Sequence, residues 1–192
     1  MPKNFTMLKT FIKVMYGKDT SIIPNTYTKD IYSIDYKTLK QKKMTNLIFD
    51  IDNTILKVNS VEISPKLKKL FSKIDKDFNI CIVSNNKKER VLPVAQILNC
   101  NYIFEAKKPN KEAFDKALNI LKAKKENTVM IGDQMLSDIV GANKYGIYTI
   151  LVDPLENKYD IKTGTSRVLQ NIMMKKIKFK QGNYYINKDT RI

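Results

Sequence analysis

Four short stretches of this chain concentrate the residues able to do polar chemistry. The first is Asp50-Ile51-Asp52-Asn53-Thr54, two carboxylates followed directly by an amide and a hydroxyl. The second is Ser84-Asn85-Asn86 and the third Lys107-Lys108-Pro109. The fourth, Gly132-Asp133-Gln134-Met135-Leu136-Ser137-Asp138, carries two more carboxylates. Taken singly, each is a weak signal that reads more readily as an ordinary turn or a solvated charge. Carboxylates gathered without a partner are costly to bury, so a cation or a shared proton is expected beside them. The chain has no histidine. That excludes Ser-His-Asp triads, Cys-His nucleophiles and histidine-held zinc, leaving carboxylates, lysines, hydroxyls and a metal held by oxygen.

The elements that must position these residues are legible around them. Short apolar runs occur at Asn46–Asp50, Ile80–Ser84, Tyr102–Phe104, Thr128–Asp133 and Ile147–Val152. They are continuous rather than alternating, which suits central parallel strands covered on both faces. Between them lie helical patterns. Ser64-Pro65 offers an N-cap and a first-turn proline before the stripe Leu67, Leu70, Phe71 and Ile74. Asn110 precedes the stripe Phe114, Ala117, Leu118 and Leu121, and Met135 to Tyr145 is closed by Gly146. The stretch from Asn86 to Asn99 contains Pro93, which must stand near a helix start or cause a kink. This alternation predicts an α/β fold, a doubly wound parallel sheet of five strands with helices on both faces and a site at its carboxyl edge.

At 192 residues and 43% hydrophobic content the chain suits one domain with a real core. Residues 46–153 are expected to form that core, with 1–45 preceding it and 154–192 packing on or beside it. No apolar stretch is long enough to span a membrane, the opening does not read as a signal peptide, and Cys81 and Cys100 make no disulfide framework. An intracellular, reducing location is therefore expected. The net charge of +16 comes from 35 basic residues, all but Arg90, Arg167 and Arg191 being lysine. It favours a polyanionic partner, nucleic acid or anionic lipid, or else marks a lysine-rich solvated surface. Charge alone does not choose. Met7 to Tyr16 places Leu8, Phe11, Ile12 and Met15 opposite Lys9 and Lys13, which fits a membrane interface or a helix packed on the domain. Other motifs fail: Gly141 to Gly146 has P-loop spacing but is followed by Ile147-Tyr148, and Lys87 stands where a cysteine phosphatase built on Cys81 would need arginine.

As an ordered set, the four stretches resemble the haloacid dehalogenase-like (HAD) phosphatases over about residues 46–153. The resemblance implies that Asp50 is the nucleophile and Asp52 the general acid and base. Ser84 and Lys108 would hold the phosphoryl group and balance its charge, Lys108 rather than Lys107 because the family lysine commonly precedes a proline. Asn53, Thr54 and Asn85 would contact substrate. Mg²⁺ would be held by Asp50, Asp52 (through its backbone carbonyl), Asp133 and Asp138, the last directly, through water, or from behind. The reaction implied is phosphomonoester hydrolysis through an aspartyl-phosphate. The gaps from Thr54 to Ile80 and from Ser84 to Lys108 have no room for a cap domain. An uncapped site suits a phosphate on a large or membrane-embedded molecule.

The wider pattern is similar to the YqeG-type branch, related to mitochondrial phosphatidylglycerophosphatase. It is carried by Phe49 to Ile55, Val83-Ser84-Asn85-Asn86 with Arg90-Val91, Ala106 to Pro109, Ile131 to Gln134 and Asn143 to Val152. Pro24 and Ile31 to Asp35 extend it upstream, while in the tail only Thr165-Ser166-Arg167 partly matches the branch. This implies dephosphorylation of phosphatidylglycerophosphate, an anionic phospholipid headgroup as partner, and a cytoplasmic enzyme peripheral on the inner membrane face. An uncapped phosphomonoesterase acting on nucleic-acid ends, phosphoprotein or a soluble phosphoester is the alternative. A nucleic-acid-binding protein that kept the fold is disfavoured because all four motifs are intact.

Overall fold

Continuous burial on both sides is what the apolar runs require, and the sheet supplies it. The computed structural model describes residues 20–156 together with Tyr185–Ile186. Its strands are β1 (Thr26–Thr28), β2 (Asn46–Phe49), β3 (Asn79–Val83), β4 (Asn101–Ile103), β5 (Thr128–Gly132), β6 (Tyr148–Val152) and β7 (Tyr185–Ile186). They lie in the order β4-β3-β2-β5-β6-β1-β7. All neighbours are parallel except β1 with β7. The five expected strands are present, and two more join them at one edge. Every residue of β2, β5 and β6 is buried. The segment before Asn46 supplies β1 and helix α1 (Tyr36–Gln41), whose Leu39 enters the main core. The amphipathic Met7–Tyr16 stretch and the Thr165-Ser166-Arg167 run lie outside the described residues.

Helices cover both faces. On one, α1 packs with α2 (Pro65–Ile74) and α3 (Lys88–Leu98) through Leu39, Leu67, Phe71, Ile74, Val91, Val94 and Leu98. On the other, α4 (Lys111–Leu121) packs Ala113, Phe114 and Ala117 against Ile48, Cys81 and Met130. The helix ends follow their sequence signals. Ser64 Oγ accepts from Leu67 N at 3.2 Å, Pro65 occupies the first turn, and Gly146 ends its helix in the left-handed region at φ 86°. Asn110 stands at the N-cap of α4 without a side-chain cap bond. Pro93 lies inside α3 rather than near its start, where it brings no N–H to the Glu89 carbonyl four residues before it.

The stretch from Met135 differs most from expectation. Met135–Val140 forms a wide π-helical turn before α5 (Gly141–Tyr145) instead of one α-helix. Topology also fixes where a ligand belongs. From β2 the chain steps outward to β3 and β4, then returns to β5 on the other side of β2. The crevice at such a reversal, beyond the carboxyl ends of the strands, is the place for a site. A single helix connects β2 to β3, and α3 with β4 fills the path from Ser84 to Lys108. No helix among the described residues is long and apolar enough to cross a membrane.

Candidate active site

At the end of β2 the ladder continues one residue, with Asp50 N donating to Ile131 O at 3.0 Å. The chain then turns sharply. Thr54 N and Ile55 N return to Ile51 O at 3.2 and 3.0 Å, and Asn53 takes a left-handed φ of 62° that asparagine tolerates better than most residues. This turn leaves Asp50 only 6% exposed at the switch point. Across it, β5 ends in Gly132 and delivers Asp133, 0% exposed. The π-helical turn brings Asp138 back, also 0% exposed. A Cβ on Gly132 would lie 2.3 Å from Asp138 Oδ2, so only glycine admits that approach. One oxygen from each of Asp50, Asp133 and Asp138 lies within 4.8 Å of the others.

Lys108 enters this acidic cluster from the loop after β4. Asn85 holds its backbone at both ends, accepting from Lys108 N at 2.7 Å and donating to Lys108 O at 3.1 Å. The ammonium then reaches Asp50 Oδ1 at 2.7 Å and Asp138 Oδ1 at 2.8 Å. Lys107 is exposed while Lys108 is 3% exposed, so Lys108 is the one of the two that enters the cluster. Gln134 N and Ser137 Oγ donate to the two oxygens of Asp138 at 3.1 and 3.2 Å, and Thr54 Oγ1 donates to Asp133 at 3.3 Å.

Three carboxylates face one ammonium in a dry site. Burial pushes Asp50 up to about 8; Lys108 opposes that rise and the charges of Asp138 and Asp133 add to it. Burial also works against the Lys108 charge, yet Asp138 and Asp50 hold its ammonium above the usual lysine range. Such a cluster calls for more positive charge than Lys108 supplies.

Asp52, two residues along, has different surroundings. Its side chain is 22% exposed and its carboxylate lies outside the acidic cluster. Arg90, from the first turn of α3, donates to Asp52 Oδ1 from Nη2 at 2.7 Å and from Nε at 3.2 Å. Asn86 Nδ2 donates to Oδ2 in a short bond. Ser84 is 1% exposed, and its Oγ accepts from Asn86 N at 3.2 Å and Asn86 Nδ2 at 3.1 Å. Of the amides expected to meet substrate, Asn85 is engaged by Lys108, and Asn53 accepts from Glu156 N at 3.3 Å.

Residues 105–160 match the HAD-hydrolase-like family model. The chain is 32% identical over 159 residues to the Bacillus subtilis protein named "Probable phosphatase YqeG", covering 82% of this chain and 92% of that one. The chain belongs to the YqeG family of HAD-like phosphatases. It is also 28% identical over 166 residues to the Arabidopsis thaliana protein named phosphatidylglycerophosphate phosphatase 1, spanning 79% of this chain and 47% of that relative. The crystal structure of the HAD-hydrolase YfnB from Bacillus subtilis, described as bound to magnesium, is 14% identical with a TM-score of 0.48, covering 62% of this chain and 90% of that one.

In this family frame the sequence motifs bring Asp50, Lys108, Asp133 and Asp138 into contact, with Thr54 behind Asp133. The sequence motifs give no role to Arg90 or Asn86. One signal was available: Arg90 is the sole arginine among the described residues of a chain that otherwise uses lysine. Arginine in place of lysine marks a planar, forked contact.

Proposed function

We propose that this HAD-family phosphatase is a Mg²⁺-dependent phosphomonoesterase that removes the terminal phosphate of phosphatidylglycerophosphate through an aspartyl-phosphate at Asp50. One observation carries the chemistry: a buried carboxylate at the switch point, 2.7 Å from a buried ammonium and beside two further buried carboxylates. The donors suit Mg²⁺, which prefers oxygen ligands, and three carboxylates against one lysine leave two negative charges for it to balance. Asp50, Asp133 and the Asp52 carbonyl would hold it, with Asp138 behind them or acting through water. When bound, the ion lowers the repulsion between an anionic nucleophile and a phosphate dianion.

The chain's own groups account for the remaining work. Asp50 attacks phosphorus while Lys108 keeps its second interaction on Asp138, so the carboxylate is oriented and its charge offset. The P–O bond to the leaving alcohol breaks, and Asp52 delivers a proton to that oxygen. Asp52 then takes a proton from the water that attacks the phosphoryl group, releasing phosphate and restoring Asp50. Ser84 would hold a phosphoryl oxygen. The lipid substrate rests on the likeness to the Arabidopsis thaliana protein and on the uncapped site, and a net charge of +16 favours docking at an anionic membrane surface.

Phosphate release from phosphatidylglycerophosphate in mixed micelles, measured beside nucleic-acid ends, a phosphopeptide and small phosphoesters, tests this reading. The lipid should be turned over best, with activity lost in EDTA and restored by Mg²⁺. Preference for a soluble ester would overturn the lipid assignment, and full activity in chelator would overturn the metal.

A further inference from the structure

We propose that Arg90 and Asn86 are positioning residues that aim a single lone pair of Asp52, on Oδ2, at the leaving-group oxygen; this rests on the acid/base reading of Asp52 above. A carboxylate offers about four lone-pair sites. Arg90 takes two of them on Oδ1, through Nη2 at 2.7 Å and Nε at 3.2 Å. Asn86 Nδ2 takes a third, on Oδ2. The fourth is also on Oδ2, and among the described residues no donor fills it. The side chain is 22% exposed, so solvent reaches this carboxylate. It is the place where a proton can arrive, transfer to an alkoxide oxygen and be replaced from water.

The clamp is itself anchored, which separates it from a chance surface pair. Arg90 Nη1 donates to Ser60 O in a short bond, and Nη2 also donates to Lys57 O at 3.2 Å. Its side chain is 15% exposed. One guanidinium therefore ties the first turn of α3 to the β2–α2 loop and to the catalytic turn. Asn86 is fixed in the same way through Ser84 Oγ. Lysine cannot reproduce this, because a compact ammonium lacks the fork that meets two directions at once. A proton donor held off its line by a fraction of an ångström loses much of its value, while the nucleophile beside it is untouched.

The readout is dependence on the leaving group. Acid assistance matters for an alkoxide and little for p-nitrophenolate, which leaves without a proton. The rate of alcohol or phenol release is measured in a single turnover of the full-length enzyme, with p-nitrophenyl phosphate and with glycerol 3-phosphate. Arg90→Met, Arg90→Lys and Asn86→Ala are compared with wild type and with Asp52→Asn. The inference predicts that Arg90→Met slows release from glycerol 3-phosphate by about 100-fold and from p-nitrophenyl phosphate by no more than about threefold, with Arg90→Lys failing to rescue. Asn86→Ala should show the same selectivity at smaller size. Equal losses on both esters, rescue by Arg90→Lys, or unchanged rates on both would overturn it. If Asp52→Asn itself shows no selectivity, the acid/base reading falls and this inference with it. If Asp52→Asn is selective and Arg90→Met is not, only the positioning role fails.

Discussion

Asp50 and Asp52 are the same residue type on one turn, two positions apart, yet they sit in opposite surroundings. Asp50 is sealed among Asp133, Asp138 and Lys108, where burial drives it up to about 8. Asp52 is partly open to solvent and held by an arginine fork and an amide. A strand end followed by a tight turn points successive side chains in different directions, so one carboxylate faces the sheet crevice and the other faces α3. Environment, rather than residue type, separates the two: the enclosed carboxylate lies beside Lys108 and two further carboxylates, and the wetter one can exchange protons with solvent.

Substitutions break this comparison at different depths. Asp52→Asn should reduce turnover of an alkyl phosphate by about 10²- to 10⁴-fold, checked by steady-state kinetics, with the melting temperature changed far less than by Lys108→Met because an amide fills the same partly exposed space. Lys108→Met should cost about 3–5 kcal/mol of stability in chemical denaturation, because it leaves Asp50 and Asp138 buried without their ammonium. Gly132→Ala should cost about 1–3 kcal/mol and lower activity with it, since the new methyl must push Asp138 away from Lys108. Lys40→Met, which removes an exposed partner of Asp77, should cost about 0–1 kcal/mol in the same measurement. A Lys108→Met loss no larger than the Lys40→Met loss would contradict the account of the buried cluster.

The same contrast explains what could be read from the chain before its structure. Asp50, Ser84 and Asp133 were legible because each is the first polar residue after a continuous apolar run, and a parallel strand must end where its run ends. Lys108 was legible only through the family resemblance, in which the lysine commonly precedes a proline. Ser64-Pro65 and Gly146 announced their helix ends through local backbone chemistry. Strand β1 was not legible, since Thr26–Thr28 has Tyr27 as its one buried residue and its pairing is set by β6 rather than by its own pattern. The π-helical turn escaped as well, because the spacing of Met135, Ile139 and Val140 fits α and π winding alike. Turns of that kind recur where a functional side chain must be re-aimed, and here it delivers Asp138 to Lys108. The Arg90–Asp52 pair joins residues on different elements, a contact that no local periodicity encodes.

The central claim, covalent attack by the enclosed carboxylate, is tested most directly by acid-quenched mass spectrometry of the enzyme during turnover, with Asp50→Asn and Asp52→Asn assayed in parallel. A phosphoryl adduct is predicted on the peptide containing Asp50, accumulating further in Asp52→Asn as hydrolysis of the intermediate slows, while Asp50→Asn shows neither adduct nor turnover and keeps its fold. Substantial turnover by a folded Asp50→Asn enzyme would contradict the account.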